Sequence, residues 1–392
     1  MRVLLTSYDF RPSLGGVATC AFELARALSV IDGVKVRVLA PRAVGDREFD
    51  GHGLFETVRR DLPGTASRAV LPMTFWFAGQ TRAWRPDAVI NLLWQPCGLA
   101  TMMSAPLAAG VAAPYFVLAH GVEIMESRRS FKKRMRARLA PAKKMVFRRA
   151  AAAFPVSRFT GELLHVECGI PREKIRVIHN GVDTQTFHPD GPSPDLVAKH
   201  QLAGRRVFLS VTRLDDYKGV DRTIGALRYV VARHPEIVYL ICGTGYDQPR
   251  LEALTRHFGL EGHVIFAGRV PPGRLTDYYN LAECFILASR TDLRAPNCEG
   301  FGIVFLEAAA CGKPAIAGDS GGIPDAVGSG ETGWLVPPEN EHEIARAMLE
   351  CLENPALARA KGLAARQRVL AAFTWEHVAR KVHAEIAEHV RH

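Results

Sequence analysis

Two glutamates, Glu299 and Glu307, stand eight positions apart in NCEGFGIVFLEAAACG, which runs from Asn297 to Gly312. Only glycine and apolar residues lie between them. A buried carboxylate is costly unless it is paired or hydrogen-bonded, so this stretch needs a chemical reason for carrying two. Gly300 and Gly302 mark a turn into a helix that contains Glu307. If the stretch is helical throughout, eight residues span roughly 12 Å, comparable to the reach of a nucleotide sugar from ribose to hexose. Both sugars present hydroxyl pairs to a carboxylate acceptor. The amides of Gly300, Phe301, Gly302 and Ile303 would then face phosphate. The glutamates read as hydroxyl acceptors, not as an acid and base pair.

Other residues suit the same ligand. Arg213 and Lys218 lie between a strand and a helix in VFLSVTRLDDYKGVDRTIGAL. An arginine fork and a mobile lysine charge, five residues apart on one loop, can converge on a diphosphate. Gly15 and Gly16 stand where a loop enters the first long helix, and helix N-terminal amides favour anions. His120 and Glu123 follow a strand in FVLAHGVEI, and Gly321–Gly322 forms a further turn after a strand. Taken singly, each has a plain alternative: a solvated loop cation, a tight turn or a structural histidine.

Short apolar strands alternating with amphipathic helices must position these residues. Strands are expected at Val3–Thr6, Val36–Leu39, Val89–Leu92, Tyr115–Leu118, Ala153–Val156 and Ile175–Ile178. In the second half they are expected at Val207–Val211, Val238–Cys242, Val264–Ala267, Cys284–Ala288 and Pro314–Ala317. Near-continuous apolar strands, each followed by a helix, mean parallel sheets covered on both faces. Right-handed crossovers then give doubly wound domains. The expected class is α/β, with two Rossmann-like domains facing across a cleft. HPDGPSPDLVAKHQLAG, His188 to Gly204, has the composition of a linker. The expected organisation is a first, acceptor-binding domain at 1–187, a linker at 188–204 and a second, nucleotide-sugar-binding domain at 205–373. A final helix occupies 374–392.

The 392 residues, 48% hydrophobic and 23% charged, suffice for two cores. Eight scattered cysteines without a C-x-x-C pair argue against a zinc site and a disulfide framework. A reducing cytoplasm is the expected setting, and MRVLLTSYDF lacks the features of a signal peptide. Ala88 to Ala119 carries no charge and is long enough to span a bilayer. Its prolines and alanines instead suggest a strand, a buried helix at about Gly98–Ala109 and a second strand.

Together these motifs resemble the retaining glycosyltransferases of family 4, which have the GT-B fold, over essentially the whole chain. The strongest part is EGFGIVFLEAAACGKPAIAGDSGG, closest to bacterial lipid-linked mannosyltransferases. TRLDDYKG, HNGVDTQTFHP, RPSLGG and AHGVE match the family's other loops. The resemblance implies that Arg213 and Lys218 hold the donor diphosphate, with help from the Gly16 amide. It implies Glu307 on the ribose, Glu299 on the transferred sugar and His120 near the anomeric centre. It also implies same-face attack, with a donor phosphate accepting the acceptor's proton, and a final helix crossing back to the first domain. Asp325 departs from the pattern, since many relatives have glutamate there. No D-x-D triplet occurs, so no metal and no cofactor are expected. GDP-mannose is the favoured donor.

The acceptor is approached through charge. Arg128 to Arg149 holds eleven Lys or Arg and no acid, against +10 for the whole chain. Phe131, Met135 and Leu139 make an apolar stripe beside Lys132, Lys133, Arg134 and Arg136, until Pro141 breaks or kinks the helix. That pattern suits an anionic membrane surface. A lipid-linked or saccharide acceptor at the cytoplasmic face follows. Phe75, Trp76 and Phe77 would insert at an interface or line an acceptor pocket. No nucleic-acid module is recognisable, and the oligomeric state is open. The alternatives are a UDP-glucose- or UDP-N-acetylglucosamine-dependent transferase acting on a soluble acceptor, and a non-catalytic nucleotide-sugar binder. An NAD oxidoreductase is rejected because CGTGYDQ has Gln248 where the last glycine of the fingerprint belongs.

Overall fold

Among the described residues, twelve strands build two six-stranded sheets, and every pairing is parallel. The computed structural model describes residues 1–13, 15–51, 53–108, 110–111, 113–125, 140–291, 297–328 and 330–390. The first sheet contains β1 (Arg2–Thr6), β2 (Lys35–Pro41), β3 (Glu56–Arg60), β4 (Ala88–Asn91), β5 (Tyr115–Ala119) and β6 (Ala152–Pro155). Its order is β3-β2-β1-β4-β5-β6. The second contains β7 (Arg206–Val211), β8 (Ile237–Cys242), β9 (Val264–Gly268), β10 (Cys284–Leu287), β11 (Ala315–Gly318) and β12 (Gly333–Val336). Its order is β12-β11-β10-β7-β8-β9, which read from β9 repeats the first sheet's order. Strand order reverses between β1 and β4 in one sheet and between β7 and β10 in the other. In doubly wound sheets, ligands bind at such switch points, outside the carboxyl ends of the strands.

The chain divides into Met1–Gly181 with Trp375–His392, and Val182–Thr374. In the first unit, the helix Trp375–Val390 supplies Trp375, Val378, Ala379, Val382 and Ile386 to the core that holds Leu24 and Leu28 of the helix Gly16–Ser29. A Cβ on Gly181 would lie 2.8 Å from the Trp375 ring, so only glycine fits there. In the second unit, residues 188–204 are not an open linker. They contain the helix Pro194–Lys199, with Leu196 and Leu202 buried. Asn280 accepts from the Asp190 amide at 3.0 Å and donates to the His188 carbonyl at 3.1 Å. The proline and glycine content signals turns at its start; the two leucines anchor the rest.

Three local expectations need correction. Ile175–Ile178 is not a strand and makes one isolated bridge, from Ile175 to Ala153. The strands β3 and β12 were not expected: ETVRR is mostly charged and GWLV is only four residues long, and both are sheet edges. The uncharged stretch is divided among β4, β5, a π-helical turn at Trp94–Gly98 and the helix Leu99–Ser104, shorter than expected. Among the described residues, no helix is long and apolar enough to cross a membrane.

The acceptor-side residues fare differently. Phe131, Lys132, Lys133, Arg134 and Arg136 lie outside the described residues. Pro141 sits inside the helix Ala140–Arg149, and Lys143 of that helix is buried, its Nζ donating to the Ile124 carbonyl at 2.7 Å. Trp76 and Phe77 belong to the core under the helix Ala66–Trp84, whereas Phe75 on the same helix is exposed.

Candidate functional site

In the second unit, β7 ends at Val211 and its loop carries Arg213 into the short 3-10 turn Asp216–Lys218. Gly219 follows with φ +73°, and a Cβ there would stand 1.9 Å from the Ala288 carbonyl oxygen just beyond β10. Only glycine lets the two strand ends approach this closely. The approach carries Lys218 across the switch point, where its Nζ donates to Glu299 Oε2 at 2.6 Å. Both side chains are largely withdrawn from water. Burial works against the Lys218 charge, but Glu299 and the Tyr217 ring and hydroxyl outweigh it, and the lysine pKa is raised.

Glu299 is itself held from behind. The amide of Gly322 donates to the Glu299 carbonyl at 2.9 Å, and a Cβ on Gly321 would come within 2.5 Å of that same oxygen. The Gly321–Gly322 turn after β11 therefore seats the Glu299 backbone. Gly302 caps the helix Ile303–Ala310 with φ +92°, where a Cβ would strike the Phe305 ring. The segment from Glu299 to Gly302 is thus a turn and not helix, and the 12 Å helical spacing does not apply. The Phe301 side chain is buried and stacks on Phe373, so it is not offered to a ligand.

Glu307 is half-buried and accepts a hydrogen bond from the buried Tyr279 hydroxyl at 2.7 Å. Burial first, then the Glu307 charge, pushes the phenol well above its usual range. It stays protonated, a fixed donor. Arg213 is not joined to this group. Its side chain is 74% exposed, and its guanidinium pairs with Asp215 at 2.9 Å.

Sequence reasoning missed two contributors. Tyr279 lies in a helix rich in aromatics, where nothing marks one hydroxyl as functional. Gly243 and Gly245, dismissed as a failed dinucleotide fingerprint, have a steric role. Their Cβ atoms would come within 1.8 Å of the Thr212 carbonyl oxygen and 2.2 Å of the Leu214 carbonyl oxygen. Leu214 N also donates to Thr244 O at 3.1 Å. The loop after β8 thus supports the loop that carries Arg213.

In the first unit, Gly15 has φ +149° and caps the helix Gly16–Ser29; space is open around the Cβ positions of both glycines. His120 follows β5. Its Nε2 lies 2.9 Å from the Leu92 carbonyl, which only accepts, so Nε2 carries the proton and Nδ1 is the acceptor of the neutral ring. The Glu123 carboxylate accepts from the His120 amide, which ties the loop down and gives Glu123 a structural task. Asp325 is buried in the helix Ile323–Ala326. Among the described residues, no three His, Cys, Asp or Glu side chains cluster as a metal site.

Residues 14–186 match the family described as Glycosyltransferase Family 4. Residues 193–368 match Glycosyl transferases group 1. The chain is 30% identical to the GDP-mannose-dependent alpha-(1-6)-phosphatidylinositol monomannoside mannosyltransferase of Mycobacterium tuberculosis, over 97% of each chain. It is 28% identical to that organism's glycogen synthase, over 97% of this chain and 92% of the relative. Among solved structures, sucrose-phosphate synthase from Thermosynechococcus elongatus superposes with a TM-score of 0.80 at 22% identity, covering 99% and 98% of the two chains. HepE from Anabaena, in complex with UDP, gives 0.78 at 20% identity, covering 99% and 100%. At these identities the structural matches speak to fold alone.

Proposed function

The chain belongs to glycosyltransferase family 4 and has the GT-B fold, and from that premise we propose that it transfers mannose from GDP-mannose with retention of configuration. The proposed acceptor is a lipid-linked or saccharide molecule at the cytoplasmic face of a membrane. The observation that carries the reading is the Lys218–Glu299 pair across the second sheet's switch point, with Glu307 on the helix that follows.

The pair is compatible with a bound donor. An ammonium has three N–H groups; one is used on Glu299 and a second on the Tyr217 hydroxyl, leaving one for a phosphate oxygen. The Glu299 carboxylate keeps free lone pairs for hexose hydroxyls. Tyr279 occupies Glu307 Oε2 and orients that carboxylate toward ribose hydroxyls. As the bond from the sugar's anomeric carbon to the diphosphate breaks, charge grows on the leaving oxygens. Lys218 is fixed to oppose that charge, and Arg213 is mobile enough to swing onto it. The acceptor oxygen bonds to the anomeric carbon on the same face, and its proton passes to a donor phosphate oxygen. The Gly16 amide would add a donor to the diphosphate, and His120 Nδ1 an acceptor near the anomeric centre. Both roles rest on the family's pattern.

Mannose and GDP are supported by the whole-length mannosyltransferase relative, and a lipid acceptor by that relative's name and the basic stretch Arg128–Arg149. The glycogen synthase relative supports a second reading, a saccharide acceptor. Thermal unfolding with a panel of GDP, UDP and ADP sugars tests the donor. At a hundredfold excess over Kd, the true donor adds about 2.7 kcal/mol to the binding domain. Stabilisation by GDP-mannose is expected; stabilisation by UDP-glucose alone would overturn the assignment.

A further inference from the structure

The first unit contains a cavity of about 620 Å³ at the end of its sheet away from His120. Val89, Tyr115 and Ala151, at or beside the amino ends of β4, β5 and β6, line it with Met102 and Val111. Tyr115 and His120 mark the two ends of β5, and five residues of strand separate them by roughly 16 Å. The volume falls within the ~300–1,000 Å³ of small-molecule pockets.

The chemistry of the lining is one-sided. Most of the surrounding side chains are apolar, and among the described residues none is a carboxylate. Two cations complete it. Lys174 donates from Nζ to the carbonyls of Arg148 and Ala150 at 2.8 and 3.0 Å, which cancels the negative end of the helix Ala140–Arg149. One of its N–H groups is left over. Arg149 is exposed, and no carboxylate among the described residues lies within ion-pair reach of it. The polar part of the wall is already satisfied. Thr101 Oγ1 donates to Asn91 Oδ1 at 2.6 Å, and the Tyr115 hydroxyl donates to the Val146 carbonyl at 2.7 Å. A ligand here is offered an apolar bed and a cationic rim, but few free hydrogen-bond partners inside.

We propose that this cavity, at the end of the first unit's sheet opposite His120, is a further ligand site that takes the apolar chain of a long-chain carboxylate with its head on Arg149 and Lys174. An apolar guest that covers this mostly apolar lining removes it from water, which favours binding. The rim adds selection for a negative head, since a charge-assisted hydrogen bond is stronger than a neutral one.

Isothermal titration of the full chain with decanoate and with 1-decanol, below micelle formation, tests the proposal. Saturable one-to-one binding of decanoate is expected, unaffected by saturating GDP-mannose. Arg149→Glu should weaken decanoate by about tenfold or more while leaving decanol unchanged. Val111→Trp, or Ala113→Leu should the tryptophan variant not fold, should weaken both ligands because it fills the bed. Thermal unfolding identifies which variants are intact. Absence of saturable binding, equal affinity in all intact variants, or displacement by GDP-mannose would each overturn the proposal. So would binding that appears only with micelles or vesicles, which would make this face a membrane contact.

Discussion

At 2.6 Å, Lys218 and Glu299 form a charge-assisted hydrogen bond that is mostly shielded from water. Removing one partner strands the other charge, whereas removing both does not. Lys218→Met or Glu299→Gln alone should therefore cost about 3 kcal/mol of stability in urea unfolding, and the double variant much less. Turnover should not follow that pattern. It should fall by ~10²–10³ in Lys218→Met and remain low in the double variant, because the leaving diphosphate has lost its fixed cation. Arg213 separates the two effects from the other side. It is 74% exposed, so Arg213→Ala should leave stability unchanged and still slow transfer. Near-normal turnover in both the Lys218 and Arg213 variants would refute the donor-site assignment. The pair also sets a pH dependence. The Lys218 pKa is raised on folding, so its stabilising contribution is complete below the ordinary lysine value of 10.5 and is lost as pH climbs through and beyond it. Wild type should lose stability in that alkaline window faster than Lys218→Met, as urea midpoints at stepped pH would show. Equal slopes would mean that the pair contributes nothing.

Glycines at the strand ends decide whether those side chains can meet. Gly219 and Gly243 each bring backbone against a carbonyl oxygen at a distance no Cβ tolerates. Gly243→Ala should lower the melting temperature by several degrees, since about 1–3 kcal/mol of overpacking corresponds to a shift of that size. It should also weaken nucleotide binding by displacing the Arg213 loop, an effect that titration with GDP would read separately. Unchanged GDP affinity would mean that the loop after β8 does not support the site. These elements were unequally legible in the sequence. Most inner strands could be read because they are near-continuous apolar runs, and the turn at Gly300–Gly302 because glycine punctuates it. Two of the four edge strands, β3 and β12, could not, because exposure lets Glu56–Arg60 be charged and Gly333–Val336 is only four residues long. Ile175–Ile178 has strand residues but no ladder beyond one bridge, since pairing is a tertiary fact. For the same reason, Glu299 and Lys218 could each be singled out, but not their pairing across 81 residues of sequence.

At the scale of the molecule, the same strand order recurs in two units, and each presents a switch point to its own set of loops. The chain enters the second unit at Val182 and returns at Trp375 to finish the first unit's core. Local patterns in the sequence do not reveal that sharing. The chain's net charge of +10 is smaller than the charge held by Arg128–Arg149 alone. Reversing Lys132, Lys133, Arg134 and Arg136 to glutamate should release the protein from anionic vesicles in sedimentation, as raised salt should in the wild type. Binding that survives both would remove the membrane from the proposal. The most direct measurement of the central claim needs no acceptor. Proton NMR of GDP-α-mannose incubated with the enzyme, recorded faster than mutarotation, reports which anomer slow hydrolysis releases first. The account predicts α-mannose first, with the signal greatly reduced in Lys218→Met. Release of β-mannose first, or no cleavage of GDP, UDP or ADP sugars by the intact protein, would contradict it.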